Sequence, residues 1–190
     1  MKGQVRVLGV DDSPFGFGDG RSLVVGVLVR APSYVEAVMR TDVAVDGDDA
    51  TDRLADMVLR SRYAQQVKLV IVDGIALAGF NVLDMESFHK RTDVPIATVT
   101  RDAPDMSEME AALRKHFDDW ERRLSLVRRV PLRPLDTGHN PLHASVVGMD
   151  WDDLVQLVRS TTVRGAIPEP VRVAHLVAAA MVKGESRGRP

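Results

Sequence analysis

The sequence contains no cysteine. That excludes a disulfide, a thiolate nucleophile and any cysteine-ligated zinc or iron–sulfur centre, so a bound metal has to rest on carboxylates, imidazoles or water. Hard cations such as Mg²⁺ or Mn²⁺ become the default. A surplus of either charge is missing too: 25 Lys and Arg stand against 27 Asp and Glu, for a formal net charge of -2. Contact with nucleic acid must then come from a local basic face and not from a global field. No apolar run approaches the roughly 20 residues that span a bilayer, and no signal-peptide pattern opens the chain, so a cytoplasmic protein without membrane contact is expected. What remains is the balance of an ordinary globular protein, 190 residues that are 45% apolar and 27% charged. Without an internal repeat or a low-complexity linker, residues 1–190 read as one domain, with a helical extension from about residue 150 and a basic tail from Gly184 to Pro190.

Val5, Val7, Leu8 and Val10 make a first strand, read from Gly3 to Val10 and stopped by the turn formers Asp11-Asp12-Ser13-Pro14. The runs Ser22–Arg30 and Thr41–Val45 follow after short links, which implies an antiparallel meander. Past Asp46-Gly47-Asp48-Asp49, Leu54, Met57 and Val58 share one helical face, with Asp49 or Thr51 as the cap. Val67–Val72 and Val94–Val99 read as buried parallel strands, with a short helix bearing Met85 and Phe88 between them. Ser107-x-x-Glu110 has capping-box spacing and opens one long helix with apolar positions Met109, Leu113, Phe117, Trp120, Leu124 and Val127. A further strand near Ala144–Val147, a helix capped by Asp150 and a proline-led helix from about Pro168 to Lys183 complete the chain. This order predicts an α/β fold of the ribonuclease H-like kind: a five-stranded mixed sheet with strand one beside strand four and helices on both faces.

If strands one and four are neighbours, Asp11-Asp12 and Asp73 project from adjacent strand ends into one crevice. Like charges at such range raise each other's pKa unless a cation lies between them, and carboxylate oxygens are preferred ligands of Mg²⁺ and Mn²⁺. The third strand also ends in acids, Asp46, Asp48 and Asp49. Asp11, Asp12, Asp46 and Asp73 are therefore the candidate metal ligands, and Asp11, Asp46 and Asp73 the candidate catalytic set, for metal-assisted attack of water on a phosphodiester. The same aspartates also suit plain turns and a helix cap.

At these residues a resemblance appears. Val7-Leu8-Gly9-Val10-Asp11-Asp12-Ser13 resembles the first-strand motif of the endonuclease V superfamily, and Leu69-Val70-Ile71-Val72-Asp73-Gly74 its fourth-strand aspartate–glycine motif. More closely, the chain resembles the largely archaeal family known as endonuclease dU. The matching stretches are Gly9–Ser13, Val45–Thr51, Val72–Asn81 and Ile167–His175. The resemblance implies a divalent-metal nuclease that acts in DNA repair on uracil-containing or otherwise damaged DNA, with Asp11 and Asp73 matching the superfamily's metal-binding aspartates. Where the superfamily places a glutamate after strand three, Asp46 is the substitute. The histidine–proline–arginine that follows the aspartate–glycine motif in endonuclease V is replaced by Leu77-Ala78-Gly79-Phe80, and its strand-separating wedge has no counterpart. Lesion recognition of the endonuclease V kind is therefore not implied.

Other residues carry fainter signals. Phe80-Asn81 offers a ring to stack on a base and an amide to read its edge, or simply a core aromatic. Arg122, Arg123, Arg128, Arg129 and Arg133, with His139 and His143, form the densest basic stretch. Arg128 and Arg129 are its candidates for following a phosphate backbone, and a solvated helix face is the plainer account. Arg172 and His175, three residues apart on the last helix, reach either the site or a packing role. Three functions stay open: a Mg²⁺- or Mn²⁺-dependent endonuclease with DNA as partner, a non-catalytic nucleic-acid- or protein-binding module, and a metal-dependent phosphatase for a small substrate.

Overall fold

The computed structural model describes residues 5–16 and 18–186. The first residues of the strand expected from Gly3, and residues 187–190 of the expected tail, lie outside them. The chain opens on the meander β1 (Arg6–Asp12), β2 (Arg21–Arg30) and β3 (Tyr34–Ala44), paired antiparallel throughout. β3 is much longer than the expected Thr41–Val45. Val43 is its sole fully buried residue, so most of the strand carries no apolar run to announce it.

Helix α1 (Ala50–Leu59) leads to β4 (Val67–Asp73), the two-residue ribbon strands β5 (Ala76–Leu77) and β6 (Asn81–Val82), α2 (Met85–Thr92) and β7 (Ile96–Thr100). The single long helix expected after Ser107 is two helices, α3 (Met106–His116) and α4 (Trp120–Arg129). The Asp105 side chain, not that of Ser107, caps α3, accepting from the Ser107 and Glu108 amides. The backbone of Phe117 turns extended, and the chain restarts at Asp119. A continuous apolar period hid that break, because Phe117 is wanted elsewhere, as shown below. The chain ends with β8 (Arg133–Leu135), β9 (Leu142–Val147), α5 (Trp151–Thr161) and α6 (Glu169–Lys183).

The main sheet has seven strands, not five, in the order β3-β2-β1-β4-β7-β9-β8. β1 and β4 are parallel neighbours, as expected, and so are β4 and β7. The additions sit at one edge, where β8 is three residues long and contains Pro134, a residue that only an edge strand tolerates readily. Alternation along β1 and β4 sorts the core. Leu8, Val10, Val70 and Val72 pack with Leu54, Met57, Val58 and Phe88 from α1 and α2 on one face. Val7, Leu69 and Ile71 pack with Leu154, Val158 and Val171 from α5 and α6 on the other. The fold is ribonuclease H-like, a mixed sheet with helices on both faces.

One close approach sets the geometry of the site. A Cβ on Gly9 would lie 2.1 Å from the backbone carbon of Pro170, so only glycine lets the first turn of α6 settle directly on β1. Ala174 and Ala178 keep the rest of that helix close to β2. The result brings His175, one turn further along, to the end of β1.

Candidate functional site: an acidic crevice at the strand ends

Parallel pairing of β1 with β4 ends at Val10 and Val72, and the next residues, Asp11 and Asp73, stand side by side at the strand ends, still paired to Val25 of β2 and Val99 of β7. Asp11 is only 6% exposed. Its Oδ1 accepts from the Asp12 amide at 2.9 Å and its Oδ2 lies 2.8 Å from His175 Nδ1. Burial pushes its carboxyl up to about 7, aided by the charges of Asp73 and Asp12 and opposed by His175. Asp12 is raised to about 6, again chiefly by burial; the Ala78 amide hydrogen-bonds it and holds it down in part. Asp73 is raised by burial, with His175 and Arg101 pulling the other way. Three carboxylates thus share a crevice with too little positive charge to satisfy them.

Arg101 was not anticipated. It stands two residues past Val99, the partner of Asp73 across the β4–β7 ladder, and makes no ion pair with any described residue. A lone basic residue immediately after a strand that ends level with the acidic ones is the signal that could have found it.

The other expected residues are placed as follows. Asp46 does not join the crevice. Its Oδ1 accepts from the Phe80 amide at 2.8 Å, its own amide donates to the Ala78 carbonyl, and its backbone is left-handed with φ 55°. Among the described residues, no three carboxylate or imidazole groups stand close enough to cage a metal ion as the side chains are arranged. Asn81 cannot read a base edge: it is fully buried, its Nδ2 donates to the Ala44 carbonyl and to Asp49, and its Oδ1 accepts from the Ala50 amide. It anchors the start of α1 instead. Asp49 occupies the N-cap position, but its Oδ1 accepts from the Ala44 amide and not from the helix. The Phe80 ring meets Phe117 edge to face at 5.6 Å.

The basic stretch is largely spoken for. Arg128 pairs with Glu110 at 2.7 Å, and Arg129 with Asp84 at 3.2 Å and Glu86 at 3.5 Å. Arg122 faces Asp119 and Asp48. Arg172 is bound to Glu169 on its own helix, whereas His175, from the same helix, does reach the crevice.

Beside Asp73 opens a cavity of about 250 Å³, lined by Gly74, Ile75 and Ala76, by Met106, Met109 and Val127 of the α3–α4 pair, and by the hydroxyl residues Thr98, Thr100 and Ser145. The Thr100 and Ser145 hydroxyls donate to backbone carbonyls. Thr98, 3% exposed, has no side-chain partner among the described residues.

Known proteins share the sequence and the fold. A protein of unknown function from Archaeoglobus fulgidus, solved by crystallography, superposes with a TM-score of 0.84 at 35% identity over 94% of this chain and 98% of its own. Ciona intestinalis endonuclease V, crystallised with DNA containing an inosine followed by a ribo-adenosine, matches with a TM-score of 0.62 at 13% identity, over 95% of this chain and 87% of its own. At that identity the likeness is one of fold. The UPF0215 protein of Methanothermobacter thermautotrophicus is 38% identical over 189 residues, covering 99% of this chain and 93% of that one. The model of the family described as endonuclease dU matches residues 3–182, from before β1 to the last turn of α6, so every element that builds the crevice lies inside it and the chain belongs to the endonuclease dU family.

Proposed function

We propose that the protein is a divalent-cation-dependent endonuclease that hydrolyses phosphodiester bonds in DNA carrying deoxyuridine or another damaged base. The observation that carries this reading is the set of three carboxylates at adjacent strand ends, Asp11 buried and Asp12 and Asp73 half-buried, with their pKa values raised together. A buried cluster of like charge costs stability unless a cation joins it, and hard oxygen donors suit Mg²⁺ or Mn²⁺. Asp11, Asp12 and Asp73 would hold the ion. Asp46, which is not among the charges that act most on these three, drops out of that set. A bound divalent cation supplies Lewis acidity toward the phosphate and the attacking water.

The chain's own residues do the rest. His175 orients Asp11 through the 2.8 Å hydrogen bond and offers positive charge to the crevice when protonated. Arg101, whose charge acts on Asp73 and which has no ion pair among the described residues, is suited to a phosphate oxygen of the substrate. The cavity next to Asp73 has apolar walls for the faces of a base and the Thr98 hydroxyl to meet its edge, so a nucleotide turned out of the helix has somewhere to go. The DNA bound to Ciona endonuclease V supports DNA as the partner.

A second reading, a binding module without catalysis, is favoured by one observation. Both Asp11 oxygens are occupied within the protein and no preformed cage surrounds them. Incubating the protein with uracil-, inosine- and abasic-containing oligonucleotides, with Mg²⁺ or Mn²⁺, separates the two. Metal-dependent cleavage of the uracil strand that EDTA abolishes is expected. Tight binding of the same strands without cleavage in either metal would leave the binding module.

A further inference from the structure

Far from the strand ends in sequence, one buried arginine ties the walls of the crevice together. Arg123 on α4 is 7% exposed. Its Nη1 donates to the Gly47 carbonyl at 2.7 Å and to the Phe80 carbonyl at 2.6 Å, and its Nε donates to Asp119 at 2.7 Å. Its guanidinium lies 4.3 Å from the ring centroid of Phe117, which in turn meets Phe80. Gly47 and Phe80 belong to separate turns, one between β3 and α1 and the other between β5 and β6, so a single side chain holds two loops with no covalent link nearby.

The two turns are also under strain that needs such a hold. Asp46 and Ala78 are non-glycine residues in left-handed backbone, at φ 55° and 48°. Gly79, at φ 89°, sits so near Asp46 that a Cβ would lie 2.3 Å from its Oδ1. Residues in these regions persist only where the surroundings over-determine them, and such strain collects at functional sites. Here the surroundings are the two hydrogen bonds of Asp46 to Ala78 and Phe80, the Asn81 amide bridging Ala44 and Ala50, and Arg123. The same turn presents the Ala78 N–H to the Asp12 carboxylate at the edge of the acidic crevice, where it helps to hold the Asp12 pKa down.

We propose that Arg123 is a positioning residue for the acidic site, locking the 46–49 and 78–81 turns together so that Ala78 fixes the direction in which Asp12 faces Asp11 and Asp73. Asp46 belongs to the same lock. This inference rests on reading the crevice as a cation site, but the lock itself is a claim about the chain alone. A lysine keeps the charge and one nitrogen for the two carbonyls, but lacks the Nε–H that holds Asp119 and the flat guanidinium face over Phe117.

The test compares the full-length parent with Arg123→Met and Arg123→Lys by amide hydrogen exchange and by Mn²⁺ titration followed by electron paramagnetic resonance. In Arg123→Met, the Ala78 and Phe80 amides should exchange at least about tenfold faster while β4 and β7 amides keep parent protection. Mn²⁺ affinity should fall by roughly 10- to 100-fold, the usual cost of losing a group that orients a ligand. Arg123→Lys should recover part of both. Should Arg123→Met fail to fold, Phe117→Leu removes the ring beneath the guanidinium, leaves its hydrogen bonds, and carries the same comparison with a smaller effect. Unchanged exchange at Ala78 and Phe80, or acceleration spread evenly across the sheet, would overturn the lock. A loosened lock with undiminished Mn²⁺ affinity would overturn the positioning role. If the parent binds no Mn²⁺, the cation-site reading fails on its own and the exchange pattern still decides the lock.

Discussion

Two charged regions of the molecule are built on opposite plans. On α4, six arginine ion pairs absorb the basic charge: Arg122 with Asp48 and Asp119, Arg123 with Asp119, Arg128 with Glu110, and Arg129 with Asp84 and Glu86. At the ends of β1 and β4, three carboxylates with raised pKa values have one imidazole and one arginine to offset them. The compensated region holds α4 against α2, α3 and the turns. The uncompensated one is costly to the fold, and a protein tolerates such a cost where an external ligand removes it. Charge density in the sequence is therefore no measure of how much charge the fold leaves uncompensated.

The sharpest way to break this contrast is Asp73→Asn. It removes one negative charge from the crevice without changing its shape. If the crevice exists to hold a divalent ion, Mn²⁺ affinity and cleavage of a uracil-containing strand should each fall by about 100-fold or more, while the melting temperature of the metal-free protein holds or rises. Equal Mn²⁺ affinity in the variant and the parent would reduce Asp73 to a turn residue ahead of Gly74.

The next effect is on stability. The folded protein keeps protons on Asp11 and Asp12 at pH values where the unfolded chain has released them, because their pKa values are raised to about 7 and about 6. In EDTA, the stability contributed by these groups is present in full below about pH 4 and is lost as pH rises through those values. Each unit of upward shift corresponds to about 1.4 kcal/mol, so a fall on the order of a few kcal/mol between pH 4 and 8 is expected in urea titrations. Asp11→Asn should flatten the profile and stabilise the metal-free protein at pH 8 by on the order of 1–2 kcal/mol. Excess Mg²⁺ should raise the parent at pH 8 and leave Asp11→Asn nearly unmoved. A parent profile that climbs from pH 4 to 8 would show that the acids are better compensated than their placement indicates.

Much of the crevice was legible before any coordinates, for a specific reason. Asp11 and Asp73 end two apolar runs that can hardly be anything but adjacent buried strands, so topology alone brought them together. His175 was legible as a polar residue on an apolar helix, though only the Gly9 contact shows why that helix lies close enough. Asp46 and Asn81 misled because their local sequence, polar and turn-forming, is the same whether a side chain faces a ligand or staples two turns. The break between α3 and α4 was invisible for a related reason: Phe117 keeps the helical period while serving as the seat for Arg123. Tertiary partners more than seventy residues apart, such as Arg123 and Gly47, leave no periodic trace.

The smallest effect expected is at Arg128 and Arg129, and it decides whether the basic side of the contrast is right. Their ion pairs are exposed, so each contributes about 1 kcal/mol at most, and the double variant Arg128→Ala, Arg129→Ala should lose no more than about 4–8 °C in melting temperature. For DNA the comparison is with Arg101→Ala. Each phosphate contact that is lost should lower the slope of log affinity against log salt by about 0.9 for duplex DNA. Arg101, with no carboxylate partner to release among the described residues, should show that drop when removed. Arg128 and Arg129 would have to leave Glu110, Asp84 and Glu86 to meet a phosphate, so their joint removal should change the slope by less than the single loss of Arg101. A drop near 0.9 for each of them would mean that DNA displaces the carboxylates, and α4 would then be a second uncompensated surface that shows itself only when the substrate arrives.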